Sequence, residues 1–140
     1  MLKTIFRIFL LIIIPLSFNS CGKDENRDQI PYVYVNFVMY PNTIDFIPDG
    51  QWVYVSGGYK GIIIYRPQSD EFHAYERACP FDPLTEGAKV IVEPSGLIAV
   101  DTVCGSRFVL LDGSPIEGPA KIPLKQYRTS WDGYALTVSN

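Results

Sequence analysis

Two cysteines and two aspartates in the second half of the chain have the types and spacing of a metal site. They form two mirrored pairs, Cys79-x-x-Asp82 and Asp101-x-x-Cys104. Thiolate and carboxylate groups both bind Zn²⁺, and two-residue spacings are typical of zinc sites built on tight turns. One interpretation is therefore a zinc site. Against it, Asp82 precedes Pro83, and Asp before Pro often forms a turn instead.

A redox-active thiol pair is a second interpretation of Cys79 and Cys104. The two residues lack the close Cys-x-x-Cys spacing of dithiol enzymes, and no cationic helix terminus is apparent beside either one. The only histidine, His73, alternates with Phe72 and Ala74 as a half-exposed strand residue does. Ser106 has no histidine at a suggestive spacing, so we expect no catalytic residues.

The first twenty residues have the features of an export signal. Lys3 and Arg7 precede an apolar run over residues 8–16, which is too short for the roughly twenty residues of a membrane-spanning helix. The run ends in Ser20-Cys21, which resembles the lipobox of bacterial lipoproteins, although Phe18 stands where that family usually has an aliphatic residue. The resemblance implies a signal peptide over 1–20 and lipid, such as palmitate, on Cys21.

The resemblance to lipoproteins also implies where in the cell the protein lies. The polar residues 21–30 are expected to act as a tether, and Lys23-Asp24-Glu25 is similar to the acidic signal of surface-exposed lipoproteins. We therefore expect a cell-envelope protein held by lipid, in the outer membrane and at its surface. The sequence names no protein or small-molecule partner.

Removing residues 1–20 leaves 120 of the 140 residues, which suits one domain over 31–140. The ten remaining basic residues face fifteen acidic ones, a formal charge of −5. There is no basic patch, so nucleic acid is excluded as a partner.

From Pro31 onward the sequence predicts an all-β domain, a small antiparallel sandwich or barrel. Short apolar and β-branched runs alternate with turn signals such as Gly57-Gly58, Asp112-Gly113 and Asp132-Gly133, and no long stretch has a helical apolar stripe. The predicted strands are 32–39, 52–55, 61–65, 72–75, 90–92, 97–100, 108–111 and 136–138.

The order of landmarks between residues 57 and 140 resembles the Rieske iron–sulfur domain. The residues that carry this resemblance are Cys79-Pro80, Gly105-Ser106-Arg107-Phe108, Asp112-Gly113 and Gly118-Pro119-Ala120. In that family two loops converge at one end of the domain and hold a [2Fe-2S] cluster, and a Gly-Pro-Ala turn covers it. The resemblance implies the same two-loop arrangement here.

The ligand positions depart from the family. A Rieske cluster needs two thiolates and two imidazoles. Here Cys79 matches the first cysteine, but Phe81 and Cys104 stand at the histidine positions and Asp101 stands at the second cysteine. A phenyl ring cannot bind iron, so an ordinary cluster is excluded. Beside Cys104, Arg107 is expected either to steady Asp101 or to face solvent.

The resemblance places both cysteines at converging loop tips, and export favours oxidation. We therefore predict a Cys79–Cys104 disulfide, which closes a 25-residue loop and contributes about 3 kcal/mol. The predicted function is an envelope-anchored, non-catalytic binding or structural module that has lost its cluster and has no cofactor. The alternatives are an iron–sulfur electron-transfer component with an altered ligand set, or zinc bound by Cys79, Asp82, Asp101 and Cys104.

Overall fold

The computed structural model describes residues 30–40 and 47–140, and these residues form ten β-strands. Their bounds are β1 Asn36–Met39, β2 Gln51–Val55, β3 Ile62–Gln68, β4 Glu71–Glu76, β5 Val90–Val92, β6 Ile98–Asp101, β7 Arg107–Val109, β8 Pro115–Glu117, β9 Gln126–Trp131 and β10 Leu136–Ser139. The predicted signal peptide, the predicted lipidation site Cys21 and most of the predicted tether lie outside the described residues. In the part that is described, no helix has the length and apolar character needed to cross a bilayer.

The strands form two antiparallel sheets. One has six strands in the order β1-β10-β9-β4-β3-β2 and curls into a half-barrel, and the other has four in the order β5-β6-β7-β8. The chain passes from the first sheet to the second after β4 and returns after β8. The predicted all-β fold class, with two antiparallel sheets, is confirmed.

Strand β3 separates two apolar cores because its successive side chains point to opposite faces. Ile62 and Ile64 pack inside the six-stranded sheet, whereas Ile63 and Tyr65 pack between the two sheets against residues such as Phe108. All four β3 residues are buried. The continuous run Ile62-Ile63-Ile64-Tyr65 therefore marks a strand covered on both sides.

Eight of the ten strands lie where the sequence predicted them, with ends shifted by a few residues. The first is shorter than expected, since only Asn36–Met39 of residues 32–39 pairs with β10. Strands β8 and β9 were missed. In β9 only Tyr127 is fully buried and the other residues are polar or partly exposed, so the strand is defined by pairing with β4 and β10 and not by its composition.

The buried carboxylate of Glu76, at the end of β4, holds the neighbouring glycine-rich turn. It accepts hydrogen bonds from the backbone amides of Tyr59 (2.6 Å), Lys60 (2.9 Å) and Ala78 (3.0 Å) and from the Tyr127 hydroxyl (2.7 Å). Gly58 lies directly over this carboxylate with φ of +62°, so a side chain there has no space. A fully hydrogen-bonded buried carboxylate of this kind stabilises the fold because it satisfies several donors at once.

We expect Glu76→Gln to lower the free energy of unfolding by about 3 kcal/mol. The reason is that the glutamine NH₂ group would face N–H or O–H donors that now bond to a carboxylate oxygen, and two donors cannot bond to each other. Tyr127→Phe is the matched control. It removes one of the four hydrogen bonds to Glu76 and should lower the free energy of unfolding, measured by urea denaturation, by about 1 kcal/mol. Equal losses in the two variants would contradict this role of Glu76.

Candidate metal centre

Two loops at one end of the domain carry the four candidate ligands. Residues 77–89, the first loop, follow β4 and contain Cys79 and Asp82, and residues 102–106, the second loop, join β6 to β7 and contain Cys104. Asp101 is the last residue of β6. The first pair therefore comes from the six-stranded sheet and the second from the four-stranded sheet.

The Asp101 carboxylate builds the turn that presents Cys104. Its Oδ1 atom accepts the amides of Val103 (2.7 Å) and Cys104 (3.2 Å), and its backbone carbonyl accepts the amide of Gly105 (2.8 Å). Gly105 has φ of +78°, which glycine adopts readily. Only one of the two carboxylate oxygens is used in this turn.

The first loop is held from outside by Lys60. Its ammonium group donates to the carbonyl oxygens of Thr85 (2.7 Å) and Ala88 (2.8 Å). Within the loop, the amide of Thr85 donates to the carbonyl of Asp82 at 3.0 Å. Because Glu76 also fixes the backbone amide of Lys60, the same buried carboxylate stabilises both the glycine-rich turn and this loop.

The mirrored pairs recognised in the sequence meet in the structure. One ligand atom from each of Cys79, Asp82, Asp101 and Cys104 lies within 4.8 Å of the others. The two sulfur atoms are 3.5 Å apart. Cys79 and Asp101 are fully buried, and Asp82 and Cys104 are partly exposed. The predicted convergence of the two loops is therefore confirmed.

Two carboxylate oxygens at this site are buried without a hydrogen-bond partner. They are Oδ1 of Asp82 and Oδ2 of Asp101, and neither has a donor among the described residues. Burying a polar atom without a partner is costly, and burying a charged one more so. Each oxygen therefore needs either a proton or a cation.

The surroundings of Cys79 and Asp82 disfavour the anionic forms of these two groups. Burial raises the pKa of the Cys79 thiol, and the neighbouring Cys104 and Asp101 raise it further. Burial, followed by the charge of Asp101, also raises the pKa of Asp82. A cation bound beside these two groups would favour their anionic forms, in which they act as ligands.

Ser106, which sequence reasoning set aside, links the second loop to a third segment, Gly118–Ala120. Its buried hydroxyl lies 3.1 Å from the Cys104 sulfur and accepts the amide of Ala120 at 3.1 Å. Gly118 packs against the backbone of Ser106, and a methyl group added there would lie 2.5 Å from its Cα atom. The Gly-Pro-Ala turn therefore lies beside Cys104. In the sequence, only the resemblance to the Rieske domain indicated this position of the turn.

The other residues considered in the sequence lie outside the cluster. Phe81 is 45% exposed. His73 contacts Glu71 through Nε2 (3.0 Å) and the Tyr75 hydroxyl through Nδ1 (3.1 Å), and it is half-buried on β4 as expected. Since both its ring nitrogens are engaged and the chain has no second histidine, a Cys₂His₂ iron–sulfur cluster does not fit this site.

Arg107 does not steady Asp101; of the two expectations for this residue, only exposure to solvent agrees with the structure, in which 36% of its side chain is exposed. The Arg107 guanidinium instead pairs with Glu93 (2.9 Å) and Glu117 (3.2 Å), because it projects from β7 away from the loop tips. Cys79 and Cys104 are free thiols in this structure, and their disulfide stays a prediction.

Solved structures similar to this one include the ferredoxin of carbazole 1,9a-dioxygenase from Nocardioides aromaticivorans IC177. It has 16% identity and a TM-score of 0.47, and the alignment covers 79% of this chain and 97% of that one. A proposed NADH-dependent nitrite reductase small subunit from Mycobacterium tuberculosis has 18% identity and a TM-score of 0.48, with coverage of 78% and 97%. No protein-family model matches the sequence, and neither does any curated protein.

The contact between Gly118 and Ser106 gives a stability prediction. Gly118→Ala forces a methyl group onto backbone atoms at a φ of +95°, and we expect a loss of about 3 kcal/mol in the free energy of unfolding. Gly105→Ala is the control, since it also has a positive φ but has no atom within 4 Å of the added methyl, and it should cost about 1 kcal/mol. Equal costs measured by urea denaturation would contradict the close approach.

Proposed function

We propose that this protein is an envelope-anchored, non-catalytic module in which one divalent metal ion joins two loops. The ion is Zn²⁺, and its ligands are Cys79, Asp82, Asp101 and Cys104. Lipid on Cys21 holds the module at the cell envelope, in the outer membrane. The domain is of Rieske type, with the two-iron cluster replaced by a single ion.

The observation that carries this proposal is the pair of unpaired, buried oxygens on Asp82 and Asp101. A disulfide between Cys79 and Cys104 removes two thiols but leaves both oxygens unsatisfied. A cation placed among the four side chains satisfies both oxygens and both sulfurs. The metal site therefore accounts for more of the buried polar groups than the disulfide does.

The spacing of the ligand atoms suits a single tetrahedral ion. With Zn–S bonds of about 2.3 Å, tetrahedral geometry separates two sulfurs by about 3.8 Å. The Cys79 and Cys104 sulfurs are 3.5 Å apart, and all four ligand atoms lie within 4.8 Å of one another. A mixed thiolate and carboxylate set matches the borderline softness of Zn²⁺ and not that of Ca²⁺ or Mg²⁺, which take oxygen ligands.

A structural role follows from the number of ligands and from their origin. Four protein ligands close the coordination sphere and leave no open position for a substrate, as in structural zinc sites. One pair of ligands follows β4 of the six-stranded sheet and the other flanks the turn after β6 of the four-stranded sheet. The ion therefore cross-links the two sheets at the end of the core between them, where Cys79 is buried.

A second candidate is the same module with a Cys79–Cys104 disulfide and no ion. The 3.5 Å separation of the sulfurs and the predicted export of the chain favour it. An electron-transfer component with an altered iron–sulfur ligand set is the third. It lacks the imidazole ligands, and the four closely grouped atoms leave little room for two irons and their bridging sulfides.

Elemental analysis of the full-length protein, purified under reducing conditions, separates these candidates. We expect one zinc per chain, two thiols that react with an alkylating reagent much faster after chelation than before it, and no visible colour. Replacing zinc with Co²⁺ should give thiolate-to-metal charge-transfer bands. Stoichiometric iron with acid-labile sulfide would contradict the proposal, and so would a metal-free protein that contains the disulfide.

Asp101→Asn tests the unpaired oxygen most specifically. The change keeps the Oδ1 acceptor that the amides of Val103 and Cys104 require and removes the charge. Zinc affinity should fall by about two orders of magnitude or more, since even changes to groups behind the ligands cost 10–100-fold. Asp112→Asn, at an exposed aspartate that likewise accepts a backbone amide, is the control and should leave the affinity unchanged. Equal affinity in the two variants, measured by chelator competition, would remove Asp101 from the site.

A further inference from the structure

We infer that the Cys79–Cys104 pair is a redox switch that controls the metal ion. The reduced pair holds the ion, and the oxidised pair, joined by a disulfide, releases it. This inference rests on the proposed function and adds how the site is regulated. It also makes the metal site and the disulfide two states of one site.

The first supporting observation is the distance between the sulfurs. A disulfide bond is about 2.05 Å long, so Cys79 and Cys104 need to approach by only about 1.5 Å to bond. The second loop, which carries Cys104, is a short turn. Formation of the Cys79–Cys104 disulfide therefore requires a local movement of this turn and no rearrangement of the sheets.

The second observation is that the two thiols differ in access. Cys79 is fully buried, whereas Cys104 is partly exposed. An oxidant in solution therefore reaches Cys104 first, and Cys79 is the resolving thiol. The Cys104 thiol donates to the Ser106 hydroxyl at 3.1 Å, and the same hydroxyl accepts the amide of Ala120.

The oxidation is balanced when the oxidant is a small-molecule disulfide. The Cys104 thiolate attacks one sulfur of that disulfide, forms a mixed disulfide and expels one thiolate. The Cys79 thiolate then attacks the Cys104 sulfur, forms the internal bond and expels the second thiolate. The protein loses two electrons, and the small disulfide is reduced to two thiolates.

Release of the ion follows from the chemistry of the ligands. A thiolate binds zinc, but a disulfide sulfur carries no charge and does not replace it. After oxidation the site keeps only the carboxylates of Asp82 and Asp101. The four-ligand site is thereby reduced to two ligands, and the ion passes to water.

The test uses the full-length protein loaded with one zinc per chain and treated with oxidised glutathione. A chromogenic chelator measures the zinc released, and mass spectrometry with peptide mapping measures the Cys79–Cys104 bond. We expect one zinc released for each internal disulfide formed, and rebinding after reduction with a dithiol. Formation of the disulfide with zinc retained would overturn the switch, and so would the absence of any internal disulfide.

The same experiment distinguishes the two proposals. If the reduced protein takes up no zinc, the proposed function fails and the switch fails with it. If it takes up zinc but oxidation and release do not occur together, only the switch fails.

Single-cysteine variants test the order of attack. Cys79→Ser should accumulate a stable mixed disulfide on Cys104. In Cys104→Ser, Cys79 should react at least about tenfold more slowly than Cys104 does in Cys79→Ser, because a buried thiol becomes accessible only through local opening. Both variants should react at the same rate in urea, which controls for effects on folding. Faster reaction at Cys79 in the native variants would contradict the assigned roles.

Discussion

Four groups that become anionic as ligands lie together at the end of the core between the two sheets, and the nearby positive charge of Lys60 is directed at the carbonyl oxygens of Thr85 and Ala88. The carboxylates of Asp82 and Asp101 each keep one buried oxygen without a hydrogen-bond donor among the described residues. The buried carboxylate of Glu76, by contrast, accepts hydrogen bonds from four donors. The contrast between these carboxylates is the physical reason for assigning a cation to the cluster and not to Glu76.

The rest of the fold supports this arrangement from both sides. Glu76 fixes the glycine-rich turn and, through Lys60, the first loop. Asp101 shapes the second loop with one oxygen, and its other oxygen is buried without a hydrogen-bond partner among the described residues. The Gly118–Ala120 segment closes over Ser106 beside Cys104. Three separate segments thus hold the cysteine sulfurs in place before any ion binds, which lowers the entropic cost of binding.

Much of the architecture could be predicted from local sequence, because turn residues and apolar runs define most strands without tertiary information. The mirrored spacing of Cys79-x-x-Asp82 and Asp101-x-x-Cys104 also pointed to the four residues that meet in the cluster. Strand β9 could not be predicted, since its polar residues are ordered by pairing on both edges. Glu76 and Ser106 were missed for the same reason. Their roles depend on contacts with Tyr127 and Ala120, which are distant in sequence and give no local signal.

The proposed site holds one ion between two sulfurs and two oxygens. X-ray absorption at the zinc edge of the reduced, full-length protein measures this shell directly. We expect two sulfur ligands at about 2.3 Å and two oxygen ligands at about 2.0–2.2 Å. A shell of oxygen or nitrogen alone, or a metal–metal distance within the site, would contradict it.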